Sequence, residues 1–181
     1  MGDSLITIIT IVLAAILLFV FPMMTLADRT DDISQIAAQT ATVQFVDGVR
    51  KTGKITQDDY SKFISELEAT GNTFDVEMKL QRLDENPSKK TAQATETVIG
   101  QNTYYSIYTT QIQDELDEDR DGDGKADGVM YLKQGDMFYA SAVNNSQTIA
   151  EVLKNFFYRV TGSSAFTITA EHTGMVMMDG Q

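Results

Sequence analysis

The stretch ITIITIVLAAILLFVFPMMTL, residues 6–26, has 21 residues and no charged side chain. As an α-helix rising ~1.5 Å per residue, it is about 31 Å long, close to the thickness of the hydrocarbon core of a bilayer. Asp3 precedes it, and Asp28 and Arg29 follow it. Its only polar side chains are three threonines, whose hydroxyls can bond back to the helix backbone. Residues 1–28 are therefore predicted to form a transmembrane or filament-core helix.

A cleaved secretory signal is the alternative interpretation of this stretch. Such signals have a basic beginning and an apolar run of about 7–15 residues. Here residues 1–4, MGDS, contain no Lys or Arg, and the apolar run is longer. Thr25 and Ala27 nevertheless provide a small-residue pattern for cleavage. Cleavage there would leave Asp28 as the first residue of a secreted domain.

The remaining residues, 29–181, predict a globular head domain that begins with helices. Apolar side chains recur at three- and four-residue spacing over residues 30–52, which predicts an amphipathic helix that continues the apolar one. These side chains are Ile33, Ile36, Ala37, Val43 and Val46, and Thr40 recurs at the same spacing. Thr56 and Asp59 form a capping pattern that predicts a second helix, and Gly71 closes it. Within the apolar stretch, Pro22 predicts a kink because its ring removes a hydrogen bond.

Strand patterns dominate the middle and the end of the head. Residues 74–81, FDVEMKLQ, alternate apolar and polar side chains, as a half-buried strand does. Further strands are predicted for residues 103–112, 129–133, 137–143 and 164–178. The turn Gln134-Gly135-Asp136 predicts a hairpin between the strands on either side of it. These strands favour a mainly antiparallel sheet.

A further helix is predicted to begin at Ser146. Six apolar side chains fall on one stripe of it, which suits packing on the sheet. They are Ile149, Val152, Leu153, Phe156, Phe157 and Val160. The fold class is therefore predicted to be α+β, with a long N-terminal hydrophobic helix continuing into an amphipathic helix, packed with a mainly antiparallel sheet and a further helix.

Composition argues against several functions. The net charge of −12 argues against binding to nucleic acid, which needs basic patches. The chain has no Cys, and His172 is its only His, so a zinc site lacks its usual ligands. No P-loop, dinucleotide fingerprint or nucleophile elbow occurs. We therefore expect no enzymatic activity and no catalytic residues, and we expect His172 to be a structural or surface residue.

The chemically specific motif is DEDRDGDGKADG, residues 117–128. Acidic side chains occupy loop positions 1, 3, 5 and 9, with glycine at position 6, which is the spacing that turns carboxylates toward a calcium ion. Starting from position 1, the proposed ligands are Asp119, Asp121, Asp123, the backbone carbonyl of Lys125, and Asp127. Met130 stands where an EF-hand has a bidentate Glu, so another carboxylate, such as Asp117 or Glu118, or water must complete the shell. The alternative is a solvated acidic hairpin tip without a metal.

The missing bidentate ligand predicts weak calcium binding, with a dissociation constant of roughly 10⁻⁴–10⁻³ M, as in extracellular modules. Weak sites fill where calcium is millimolar, which places the head outside the cell. The charge distribution favours the opposite orientation, because Arg29, Arg50, Lys51 and Lys54 all follow the span. Only Arg29 is close to the span, so we give the calcium argument more weight.

An apolar helix running into an amphipathic one, followed by an α+β head, resembles type IV pilins and pseudopilins. Gly2 and Asp3 lie where a pilin precursor is processed, and Pro22 lies near the bend of pilin helices. Residues 45–78 also look like the region after the helix in Tad-type pseudopilins. The resemblance covers about the first 80 residues.

The resemblance implies a structural subunit of an extracellular filament. It would be stored in the membrane and would assemble with copies of itself or related pilins through the N-terminal helix, with the head facing the exterior. Two alternatives stay open: a single-pass surface protein that binds a partner without forming a filament, and a secreted domain or enzyme released by cleavage after Ala27.

Overall fold

The computed structural model describes residues 2–83, 104–118, 127–146, 159 and 167–180. One helix, α1 (Gly2–Thr52), runs through Pro22 and past Asp28 without interruption. The predicted continuity of the apolar and amphipathic helices is therefore confirmed. Inside the apolar stretch the three threonine hydroxyls donate to carbonyls four residues earlier, as predicted: Thr7 to Asp3 at 2.8 Å, Thr10 to Ile6 at 2.8 Å and Thr25 to Phe21 at 3.1 Å.

Two short helices and six strands follow α1 among the described residues. They are β1 (Lys54–Thr56), α2 (Gln57–Glu68), β2 (Phe74–Leu83), β3 (Tyr104–Tyr108), α3 (Thr109–Leu116), β4 (Val129–Tyr131), β5 (Met137–Asn144) and β6 (Thr169–Met175). The predicted cap of α2 is confirmed, because the Thr56 hydroxyl accepts the Asp59 N–H at 3.1 Å. The α+β class predicted from the sequence is also confirmed.

Four strands form an antiparallel sheet in the order β3-β2-β5-β6, and β1 pairs with β4 in a separate two-stranded sheet. On β2, the side chains of Met78 and Leu80 are buried, whereas the alternate residues face the other side of the sheet. We call the side packed on α1 the inner face and the opposite side the outer face. Through the inner face, the C-terminal half of α1 contacts β5 and β6.

An aromatic cluster joins the layers of the core. Phe45 of α1 stacks on Phe63 of α2, with ring centroids 4.6 Å apart, and meets the ring of Phe138 on β5 edge-on at 5.7 Å. Phe63 and Phe138 are fully buried. The ring of Tyr60 is tilted against the same Phe45 ring, with centroids 6.4 Å apart. Since the cluster holds two helices and the sheet together, it fixes the head on α1.

The C-terminal segment after β6 is hydrogen-bonded to the end of α1 and to the residue after β4. Met177 N–H donates to the Arg50 carbonyl at 2.9 Å, and Gly180 N–H donates to the Leu132 carbonyl at 3.0 Å. Gly53, which ends α1, has a φ of 66° and lies so close to the segment that a Cβ on it would meet the Met178 carbonyl oxygen. Only glycine suits this position, both for its conformation and for the close approach.

Two strand predictions were wrong. The strands around Gln134-Gly135-Asp136 do not form a hairpin, because β4 pairs with β1 and β5 lies between β2 and β6. In this turn the buried Asp136 carboxylate accepts the Lys133 N–H at 3.0 Å and binds Arg82, so side-chain contacts replace a ladder. The predicted strand 103–112 is instead β3 followed by α3, so the acidic loop follows a helix.

The predicted helix after Ser146 lies outside the described residues, except for Arg159, which is helical. Ser146 itself is described, and its hydroxyl accepts the Thr73 N–H at 2.6 Å. The predicted last strand is confirmed in β6.

Candidate functional site

The N-terminal half of α1 stands clear of the head. Every described side chain from Asp3 to Leu26 is exposed. Within the described part of the chain, α1 is the one helix that is long and apolar enough to cross a membrane, and a signal sequence meets the same criterion. The processing residues predicted from the sequence, Gly2 and Asp3, lie at the beginning of this helix. An apolar surface of this length requires a lipid or protein cover in water.

The C-terminal half of α1 carries two apolar stripes on different sides. One packs on the head and consists of Ser34, Ala38, Ala41, Thr42, Phe45, Val46 and Val49. The other, which we call the outer stripe, consists of Ile33, Ile36, Thr40 and Val43. Ile33 and Ile36 are 68% and 67% exposed. The outer stripe therefore continues the bare apolar surface of the N-terminal half beyond Asp28.

A groove of about 500 Å³ follows the outer stripe. It is lined by Gln35, Ile36, Gln39, Thr40, Val43 and Gln44. The lining combines two aliphatic side chains and a threonine with three glutamines and contains no charged side chain. A groove of this composition suits another helix better than a charged ligand, because helices pack through apolar side chains and the groove offers no charged partner.

Polar contacts fix the angle between α1 and the edge strand β6. The amide of Gln35 donates to the Thr169 carbonyl at 2.8 Å and accepts the Thr169 N–H at 3.1 Å. Gln39 donates to the Glu171 carbonyl at 3.3 Å. These amides replace part of a missing neighbouring strand, which also blunts the open edge of the sheet. The head is therefore held at a fixed angle to the outer stripe.

An ionic cluster continues this contact. Asp47 Oδ1 lies 2.6 Å from the Arg50 guanidinium and 3.5 Å from His172 Nε2. Arg50 Nε also donates to the Met175 carbonyl at 3.0 Å. Burial acts to raise the pKa of Asp47, but the hydrogen bond and charge of Arg50, with a contribution from His172, outweigh it and lower that pKa. His172 thus has a contact that joins β6 to α1, which favours the structural alternative of the prediction.

The acidic loop has a closed stem. The Asp127 N–H donates to the Glu118 carbonyl at 3.0 Å, and the Gly128 N–H donates to the Leu116 carbonyl at 3.1 Å. Asp117 follows the last turn of α3 as its C-cap. Asp117 and Asp127, two of the predicted calcium ligands, are therefore at the same end of the loop, and both are exposed.

The other predicted ligands, Asp119, Asp121, Asp123 and Lys125, lie outside the described residues. In the described ranges, no group of three His, Asp or Glu side chains is placed to hold a metal ion. For the calcium hypothesis, the described residues therefore show only that the stem brings the two ends of the loop together.

Sequence reasoning missed the outer stripe as a separate surface. The apolar residues that predicted the helix belong to both sides of it: Val46 is fully buried, whereas Ile33 and Ile36 are largely exposed. A signal was present, because apolar residues at 33, 36 and 43 and at 38, 41, 45 and 49 form two separate series, with Thr40 in the first.

Comparisons with models of protein families, with curated proteins and with solved structures found no match to this chain.

Proposed function

We propose that the protein is a structural subunit of a type IV pilus-like filament, a pilin or pseudopilin, whose α1 helices pack together in the filament. The observation that carries the proposal is the outer stripe. Ile33 and Ile36 are too exposed for a helix that packs only on its own head. They also lie beyond the charged residues Asp28 and Arg29, where a bilayer no longer covers the helix.

Assembly would use two different physical effects along α1. In the apolar N-terminal half, lipid tails are as apolar as the helix, so helix association relies on close packing rather than on removal of water. Along the outer stripe, water is removed, and covering an isoleucine that is two-thirds exposed contributes about 1–2 kcal/mol. Before assembly, the subunit would therefore lie in the cell membrane with its head outside. The filament would be stabilised when neighbouring copies cover the outer stripe.

Substitution of Ile36 by Asp is expected to reduce filament yield at least tenfold, because the new carboxylate must be desolvated in the packed helices. The matched control is Val143→Asp, which places the same charge at an exposed apolar position on the sheet. Filaments sheared from the cells that naturally make the protein are counted by electron microscopy, and membrane-bound subunit is measured by immunoblot.

Both variants should reach the membrane at the wild-type level, and only Ile36→Asp should lose filaments. Wild-type protein that never sediments as polymer would sink the filament proposal. Mass spectrometry of the native N-terminus separates the remaining alternatives. An intact N-terminus on a membrane-bound monomer would favour an anchored surface protein that binds a partner, whereas a soluble chain beginning at Asp28 would favour the secreted form.

We also propose that the loop 117–128 binds calcium and stiffens the head. Residues 114–127 contain eight acidic and two basic side chains, a net charge of −6 that repels itself without a cation. The backbone hydrogen bonds of the stem support the proposal, because they bring the exposed carboxylates of Asp117 and Asp127 to one end of the loop. The remaining ligands would be Asp119, Asp121, Asp123 and the carbonyl of Lys125.

Calcium at 10 mM is expected to stabilise the head by about 1.4–2.7 kcal/mol if the dissociation constant is roughly 10⁻⁴–10⁻³ M. The measurement is a urea unfolding curve of the full chain in detergent, with magnesium at the same concentration for comparison. The variant Asp121→Asn/Asp123→Asn should lose the shift. The control Asp75→Asn, on β2, should keep it. An equal shift in the loop variant, or one that magnesium reproduces, contradicts a calcium site here without affecting the filament proposal.

A further inference from the structure

The outer face of the four-stranded sheet presents two tyrosines on either side of a lysine. Lys79 on β2 is the register partner of Tyr108 on β3 and also of Tyr139 on β5. Register partners in an antiparallel sheet point to the same side. The three side chains therefore form one row across three strands. The backbones of the two tyrosines are two strand spacings apart, about 9.6 Å.

The row lies between two neighbouring depressions. One, of about 390 Å³, is lined by Tyr108, Lys79, Tyr139, Glu77 and the Thr109-Thr110 pair, together with Met78. The other, of about 260 Å³, is lined by Lys79, Tyr139, Gln81, Met137 and Thr173. Lys79 and Tyr139 belong to both. The two depressions thus flank the row and share two of its side chains, and we call this shallow, open surface the trough.

Hydrogen bonds hold the two tyrosines in place. The Tyr139 hydroxyl donates to Glu171 at 3.1 Å. The Tyr108 N–H donates to the side chain of Gln111 at 3.0 Å, and the Thr109 hydroxyl bonds both the N–H and the carbonyl of Met78, at 2.7 and 3.2 Å. Tyr108 remains 56% exposed. Exposed rings whose backbones are fixed in advance lose little entropy on binding a flat ligand.

The charges on this face limit the choice of ligand. Lys79 is accompanied by Glu77 and Glu171, so the trough has no excess of positive charge, and the chain as a whole carries −12. An anionic ligand would be repelled. A protein partner is also disfavoured, because the centre of a protein interface is poor in charged side chains and here the centre is Lys79.

We propose that the trough binds an extended, neutral glycan of β-1,4-linked hexopyranoses. Tyr108 and Tyr139 would stack on the apolar faces of sugar rings, because a spacing of about 9.6 Å is close to one disaccharide repeat of such a chain, so that each tyrosine meets every second ring. Lys79 and Gln81 would hydrogen-bond the hydroxyls of the sugar rings between the two tyrosines. Among the described residues, the trough lies on the side of the sheet opposite α1, so lipid or other helices that cover α1 do not cover the trough.

The test uses cellohexaose and chitohexaose as neutral probes and polygalacturonate as an acidic comparison. The full chain is studied in a detergent without a sugar headgroup, so that the detergent does not compete. The chain contains no Trp, so Tyr108→Trp adds a single fluorophore to the trough and keeps an aromatic ring. Tyr131→Trp places the same fluorophore at a 46% exposed site on β4.

Either neutral probe should change the fluorescence of Tyr108→Trp in a saturable way and leave Tyr131→Trp unchanged, and polygalacturonate should change neither. By calorimetry, Tyr108→Ala and Tyr139→Ala should each weaken binding about tenfold, and Tyr131→Ala should not. Failure of both neutral hexasaccharides to bind the wild-type chain overturns the proposal. Equal loss in Tyr131→Ala, or tighter binding of the acidic polymer, overturns it as well.

Discussion

Replacement of Phe63 by alanine is expected to lower the free energy of unfolding of the head by about 3–5 kcal/mol, the usual cost of removing a buried aromatic side chain. Phe63 is 1% exposed and stacks on Phe45 with centroids 4.6 Å apart. Its loss would leave a cavity between α2 and α1, and Phe45 would also lose the partner that holds its ring against Phe138.

The measurement is a urea unfolding curve of the full chain in detergent, followed by near-ultraviolet circular dichroism. Lys62→Ala is the control, because Lys62 adjoins Phe63 on α2 and its side chain is 74% exposed. It should change the stability by less than about 0.5 kcal/mol. Phe63→Leu should cost less than Phe63→Ala, since it keeps more of the buried volume. A cost below about 1 kcal/mol for Phe63→Ala would show that the aromatic cluster does not hold the layers together.

Asp136→Ala is expected to lower the free energy of unfolding by about 1.5–3 kcal/mol, because it removes a buried carboxylate that pairs with the half-buried Arg82 and leaves the Lys133 N–H without its acceptor. Asp136 is 1% exposed, and its Oδ2 lies 3.3 Å from Arg82 Nε and 3.0 Å from the Lys133 N–H. Arg82 also donates to the Tyr131 carbonyl at 2.8 Å. The carboxylate therefore joins β2, the end of β4 and the turn into β5.

Asp136→Asn separates the two contributions, since the amide oxygen can still accept the Lys133 N–H but carries no charge for Arg82. Asp136→Asn should therefore lower the free energy of unfolding by less than Asp136→Ala does. The control is Glu66→Ala, which breaks the exposed pair with Lys62 at 3.9 Å and should cost no more than about 1 kcal/mol. If Asp136→Ala were as mild as Glu66→Ala, the ion pair would contribute little to the junction of the two sheets.

The candidate sites show how far sequence reasoning reaches. The spacing of carboxylates in residues 117–128 is a local property, and it could be read directly from the sequence. The closed stem could not, because it depends on the Asp127–Glu118 and Gly128–Leu116 backbone bonds. The trough proposed to bind a glycan could not be predicted from the sequence either. Lys79 lies between Tyr108 and Tyr139 only once the strand order and register are known.

By itself, the sequence determined the elements whose signals are local: the apolar helix of residues 6–26, the Thr56 cap of α2 and the alternation of β2. Periodicity and capping act over a few neighbouring residues, so the chain shows them directly. Only the tertiary structure decided the partner of each strand and the buried side of α1. The three-residue β1 carries too short a pattern to be predicted, and β4 pairs with it instead of with β5. Ile36 and Val46 are both aliphatic residues of α1, and only the tertiary structure shows that packing on the head buries Val46 and leaves Ile36 in solvent.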